Sequence, residues 1–244
     1  MGAGDRRVEL TAEQEAILKG SRGAYLAQRL KWLVDWGEAM GARRLVPCTN
    51  THALMPVANV LARGAKPATL ERQAAGLREA CAHPVAPGCV CTVHTLFLTL
   101  DSLEAPENDP AQVQAQREIN ELAAASGFLT TFTCAPYLTG NVPLKGEVCA
   151  WTESSAVVYA NSILGARTTR HGLESAMAAS QLGLVPEFGV LLDENRRGTL
   201  RVEVTAELRG PSDWGALGYV AGAAAGLGIP VFHGVRRPSQ DEAK

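Results

Sequence analysis

Along residues 22–40 the apolar side chains Tyr25, Leu26, Leu30, Leu33, Val34 and Trp36 recur at near-helical spacing, which predicts a helix with one buried stripe, ended by Gly41. Ahead of it, Thr11 and Gln14 have the spacing of a capping box and open a shorter helix that stops at Gly20. The pattern over 57–81 is helical with an interruption at 64–67, and Pro110 suits the first position of a helix reaching 126. Thr152 is the expected cap of a helix over 153–164, with Ala156, Val157, Ala160, Ile163 and Leu164 on one stripe and Gly165 at its end. A further helix is expected over 173–182, and Ser212 or Asp213 is placed to cap a last, alanine- and glycine-rich one.

Strands are expected at 43–48, 128–133, 188–192 and 228–233. The run CVCTVHTLFLTL within 85–100 suits a strand by its β-branched content and a buried helix by its length. After a polar turn at 193–198, Leu200, Val202, Val204, Ala206 and Leu208 alternate with Arg201, Glu203, Thr205 and Glu207, the pattern of a hairpin strand with one wet face. Helices interleaved with short strands give an α/β fold, expected as a single domain over 1–234 with a flexible tail at 235–244.

Composition narrows the partners. A chain of 244 residues, 46% hydrophobic, can bury a substantial core. Its 23 basic and 25 acidic residues, with no long charge run, give no electrostatic footprint for nucleic acid or an anionic membrane. No apolar window reaches membrane-spanning length, and the first residues lack the apolar stretch of a signal peptide, so a cytoplasmic location is expected. There the six cysteines are thiols, each buried, metal-bound or reactive. The expected partners are a small molecule and other protein chains.

Candidate chemistry is densest in residues 134–174. Cys134 falls at the C-terminal end of an expected strand, the edge where open α/β sheets bind ligands. The helix that follows presents Glu153, Ser154 and Ser155 at its first turn, where free N–H groups and the helix dipole favour an anion. Arg167 and Arg170, just after Gly165, are candidates to converge on one carboxylate or phosphate; the alternative is that they pair with acids or cap the preceding helix. His52, in another strand-end loop, and His171 are candidate proton carriers. Cys81, His83, Cys89, Cys91 and His94 form a second group, but their spacing matches no standard metal signature and burial outweighs ligation.

The elements TCAPYL, GNVP, GE followed by AW, ESSAV, YANS, LGART and SA, with LDENR and LGYVAG further on, resemble the signature of the aconitase X family. The resemblance runs with gaps from Leu10 to Gly234 and implies an aconitase-like layered α/β body, with a mixed sheet and flanking helices. Family members look like hydro-lyases acting on hydroxyprolines in one branch and phosphorylated mevalonate in another. By that resemblance Cys134 is similar in position to an iron–sulfur ligand, while Asn141 and Asn161 join Ser155, Arg167 and Arg170 in substrate binding. An iron–sulfur cluster is then expected only if a partner supplies the ligands that this chain lacks.

The sequence departs from the family pattern at Val148, where the family has histidine, in RTTRHGLESA, and in GAKPATL at 64–70. The family's later cysteine-containing GCPH-like element and its small swivelling domain, whose serine is thought to be the base, are absent from these residues. Three readings stay open: a dehydrating lyase completed by a partner subunit or a second copy, a metal-free isomerase or cyclase using His52, His171 or Glu153, and a non-catalytic anion-binding subunit.

Overall fold

The computed structural model describes residues 8–55, 67–95, 110–239 and 242. Contacts group the chain into two compact units, Met1–Phe188 and Gly189–Lys244, where the sequence pattern suggests one domain over 1–234.

The first unit opens with α1 (Ala12–Leu18), held by the expected capping box: Gln14 N–H donates to Thr11 Oγ1 and Thr11 N–H to Gln14 Oε1. Next come α2 (Ala24–Ala39), β1 (Leu45–Pro47) and β2 (Asn50–Leu54). They are followed by α3 (Pro67–Cys81), β3 (Val90–His94), α4 (Pro110–Ala125), β4 (Leu129–Thr130) and β5 (Cys149–Trp151). Helix α5 (Ser154–Tyr159) widens into a π turn at Ala160–Leu164, and α6 (Leu173–Leu182) and β6 (Leu184–Pro186) complete the unit. The helix start expected at 57 and the second half of the run 85–100 lie outside the described residues. Over Val90–His94 that run is a strand.

Strands β4-β3-β2-β5 form one sheet in that order, with every neighbouring pair parallel. Its two faces differ because side chains alternate along a strand. Ala53, Cys91 and Val93 point to a core built with Leu77 and Cys81 of α3, Ile119 and Ala123 of α4, and Ala176 and Met177 of α6. The other face carries Asn50, His52, Thr92, His94 and Trp151, all buried. A parallel sheet normally buries apolar residues on both faces, so five polar or amphipathic side chains on one face mark it as the functional one.

A second, antiparallel pair, β1 with β6, anchors α1 and α2 through Leu26, Leu30, Leu33, Leu45 and Leu182. Trp36 of α2 meets Phe188 and His171 edge-on, at ring-centroid distances of 5.1 and 5.2 Å. A proton carrier was expected at His171, but its ring is a buried member of this aromatic group.

Gly189–Lys244 contains a βαβ unit: β7 (Leu200–Glu203), α7 (Pro211–Ala225) and β8 (Pro230–His233). The expected hairpin is therefore a parallel pair closed through a helix, and the alternation over 200–208 forms a strand only as far as Glu203. The strand expected at 188–192 is instead a 3-10 turn at Gly189–Leu191, and a second one, Asp193–Arg196, falls within the expected polar turn. Gly210, rather than Ser212 or Asp213, occupies the cap of α7. In the tail, Arg236 and Ser239 are tied to the Glu242 carboxylate.

Helix α2 passes close to β6 at Gly37, where an added Cβ would stand 2.8 Å from Pro186 Cβ. Gly37→Ala should lower the unfolding free energy by about 1–3 kcal/mol through overpacking. A gain of about 1 kcal/mol from helix propensity in denaturant titration would contradict that close fit.

Burial lowers the pKa of His171 to about 3, below the ordinary imidazole value of 6.5. Below pH 6.5 the unfolded chain takes up a proton that the folded chain refuses, so this part of the stability is present above 6.5 and is lost as pH falls toward 3. His171→Gln should make the loss of stability less steep by about 1.4 kcal/mol per pH unit between about pH 4 and 5.5. An unchanged slope in denaturant melts over that range would contradict it.

Candidate active site

Because β2, β3, β4 and β5 run parallel, their C-terminal ends lie on one edge, and that edge collects His52, His94, Cys134 and Glu153. Arg170 joins them: residues 167–170 run beside β5, with Arg167 bridged to Val148 and Arg170 to Trp151. This register also separates the arginines. An extended chain advances about 3.3 Å per residue, so Arg167 stands at the start of β5 and Arg170 at its end. Their backbones are therefore about 10 Å apart along the strand, with Arg170 at the C-terminal edge.

On the polar face a hydrogen-bond chain fixes the site. Trp151 Nε1 donates to Asn50 Oδ1 at 2.8 Å, Asn50 Nδ2 to Asn141 Oδ1 at 2.6 Å, and Asn141 Nδ2 to Thr92 Oγ1 at 2.8 Å. Thr92 Oγ1 donates to the Thr51 carbonyl at 3.1 Å and lies 3.0 Å from His52 Nδ1. With the hydroxyl proton on Thr51, the His52 Nδ1–H donates to Thr92 Oγ1. Asn141 is buried and its amide is used inside this chain, so it orients His52 through Thr92 and is not exposed to a substrate.

His52 Nε2 faces Glu153 Oε1 at 4.0 Å, longer than a hydrogen bond. Both atoms are buried without a hydrogen-bond partner, as are His94 Nδ1 and Thr95 Oγ1. Burying such atoms unpaired costs roughly 1–3 kcal/mol each, and their convergence at one sheet edge is what a ligand site requires. Burial, with the neighbouring His94, lowers the His52 pKa to about 3 against the opposing effect of the Thr133 carbonyl, so the ring is neutral. Burial also raises the Glu153 pKa, opposed by Cys134 and by the Arg170 charge. The Cys134 thiol is raised by its own burial and then by Glu153.

The remaining expected residues are placed differently. Thr152 does not cap α5: its hydroxyl donates to the His52 carbonyl at 3.2 Å and accepts from Leu54 N–H at 3.1 Å, stapling β2 to the end of β5. Glu153 takes the cap position, and Ser154 and Ser155 are exposed on the first turn. Asn161 bonds the Val157 and Thr168 carbonyls and the Thr168 N–H, holding residues 166–170 beside the π turn. Its amide therefore serves the backbone. His171, turned onto Trp36, belongs to the core of α2 and β6.

His94 was read only as part of the cysteine-rich group, yet it ends β3 next to His52. The signal was present in the alternation Asn50-x-His52 and Thr92-x-His94, which puts polar side chains on one face of each strand. A cavity of about 430 Å³ lies along β4, lined by Val90, Thr92, Leu129, Thr131, Thr139 and Asn141 among others, and its lining includes none of His52, His94, Cys134, Glu153 or Arg170.

Cys134 is the one candidate cluster ligand here, and its thiol is held protonated. Among the described residues, no three His, Cys, Asp or Glu side chains group as a metal ion requires. These residues do not complete an iron–sulfur site, and no reaction step is routed through one. No helix among the described residues is long and apolar enough to cross a membrane.

The aconitase X first-domain model matches residues 7–194 and the second-domain model residues 198–244. The phosphomevalonate dehydratase large subunit of Methanothermobacter thermautotrophicus is 39% identical over 238 residues, covering 98% of this chain and 57% of that protein. The cis-3-hydroxy-L-proline dehydratase of Hypocrea jecorina is 32% identical over 242 residues, covering 97% and 39%. The crystal structure of Thermococcus kodakaraensis aconitase X in its holo-form superimposes with a TM-score of 0.78 at 32% identity, over 96% of this chain and 56% of that one. The chain thus spans about half the length of the curated relatives it matches. With matched models over nearly its whole length and a shared α/β fold, the chain belongs to the aconitase X family.

Proposed function

We propose that this chain carries the catalytic edge of a hydro-lyase that eliminates water from a small anionic hydroxy acid, phosphorylated or hydroxyproline-like. The observation that carries the reading is the unpartnered, buried pair His52 Nε2 and Glu153 Oε1, facing each other at 4.0 Å beside Cys134 and Arg170. Relatives named as phosphomevalonate and cis-3-hydroxy-L-proline dehydratases support the same chemistry.

Elimination needs a proton taken from carbon and a proton given to the departing hydroxyl. His52 is neutral, with Nδ1–H held by Thr92, so Nε2 can accept the carbon-bound proton. An anion bound beside it raises the basicity of that ring. Glu153, whose pKa burial raises, gives a proton to the leaving hydroxyl, which departs as water. Arg170, exposed at the end of β5, binds the carboxylate or phosphate, and Ser154 and Ser155 on the neighbouring turn add hydroxyl donors.

A companion chain is part of the proposal. Relatives are named large subunits, and the βαβ unit exposes Tyr219, Val220, Leu227 and Phe232, apolar surface suited to a protein partner.

The test follows enoate formation from phosphomevalonate and from cis-3-hydroxy-L-proline, with the chain alone and with a partnering small subunit. Glu153→Gln should lower turnover by about 10²–10⁴ while substrate binding by calorimetry persists, and Arg170→Ala should weaken binding. Turnover by Glu153→Gln at the wild-type rate would contradict the assignment.

A further inference from the structure

Helices α3 and α6 cover the face of the parallel sheet that does not carry His52, and a cavity of about 230 Å³ lies between them and α2. Each helix contributes one charged residue to its lining: Arg29 of α2, Arg72 of α3 and Glu174 of α6. Leu77, Leu173 and Met177 supply apolar wall.

Arg29 is held in place by its neighbours. Its guanidinium carbon lies 4.8 Å from the centroid of the Tyr25 ring, one turn back on α2. Tyr25 is fixed in turn, its ring stacked on His83 at 3.8 Å and its hydroxyl donating to Gln181 Oε1 at 3.2 Å. Gln181 is fully buried, and its Nε2 donates to the Ala80 and His83 carbonyls at 2.6 and 3.0 Å. Despite this bracing, Arg29 Nε is buried without a hydrogen-bond partner. A buried cationic donor left unpaired at a cavity wall is costly, and an occupant of the cavity that brings an acceptor relieves it. Gly76 points the same way. It stands inside α3, where glycine weakens a helix relative to alanine, and it also lines the cavity. An added Cβ there would meet nothing within 4 Å, so packing does not require the glycine; its missing side chain keeps the cavity open.

We propose that this cavity binds a small hydroxy monocarboxylate with a short aliphatic body, at a site separate from the sheet edge that carries His52.

The lining sets each part of that ligand. A guanidinium presents parallel N–H donors that match the two oxygens of a carboxylate, so Arg29 and Arg72 take the acid group. Two guanidinium groups against the one carboxylate of Glu174 leave a single positive charge, which a monoanion balances. Glu174 only accepts hydrogen bonds when ionised, and the ligand's hydroxyl supplies the donor without adding charge. The aliphatic body then covers Leu77, Leu173 and Met177, removing their apolar surface from water.

The test titrates the full chain by calorimetry with 2-hydroxy-4-methylpentanoate, with 4-methylpentanoate and with inorganic phosphate. The hydroxy acid should bind in one equivalent, more tightly than the acid lacking the hydroxyl and at least about tenfold more tightly than phosphate. Arg29→Gln and Arg72→Gln should each weaken it by about tenfold or more. Gly76→Leu fills the cavity and should abolish binding, with a melting temperature no lower than that of the unaltered chain showing that the fold persists. Arg170→Ala should leave this binding unchanged. No binding of the hydroxy acid, equal affinity for the two pentanoates, phosphate bound as tightly as the hydroxy acid, or binding that survives Gly76→Leu would overturn the proposal. So would binding that Arg170→Ala removes and the Arg29 and Arg72 variants keep, since the acid would then sit at the sheet edge.

Discussion

The hydrogen-bond chain from Trp151 through Asn50, Asn141 and Thr92 to His52 is the constraint on which the proposed catalytic edge rests. It ties three strands and the 134–142 loop together through side chains that are themselves buried, so none of the amides can turn without leaving a donor unpaired. The parallel pairing of β2 with β3 and β5 sets the register of His52 against Thr92 and Trp151.

Burial acts in opposite senses on the two groups of the proposed reaction. It keeps His52 neutral and raises the Glu153 pKa against the pull of Cys134 and Arg170. Charge arrives with the substrate and with Arg170. The two edges of the same sheet therefore differ in chemistry: oxygen and imidazole groups converge at the C-terminal ends, while thiols gather at the N-terminal ends.

Local signals made much of the first unit legible in the sequence. The Thr11–Gln14 capping box, the stripe of α2 and the limits of α6 follow from spacing and capping within a few residues. Signals that depend on distant partners misled. Leu200–Glu203 alternates as a hairpin strand would, but it pairs in parallel with Pro230–His233, and no local pattern distinguishes those outcomes. Thr152 has the chemistry of a cap, yet the end of β2 claims its hydroxyl. At the site, Cys134 and Glu153 were visible in one dense segment, whereas His94 needed the register between β2 and β3 to be seen beside His52. Arg167 and Arg170, close in sequence, are parted because extended backbone carries them to opposite ends of β5.

The most direct measurement is ¹⁵N NMR of the histidine side chains with and without an anionic hydroxy acid such as phosphomevalonate. The account predicts a neutral His52 ring protonated at Nδ1 in the free chain, and shifts at His52 and His94 on titration while His171 stays unchanged. Shifts confined to His171, or a His52 ring protonated at Nε2 and indifferent to the ligand, would contradict the catalytic edge described above.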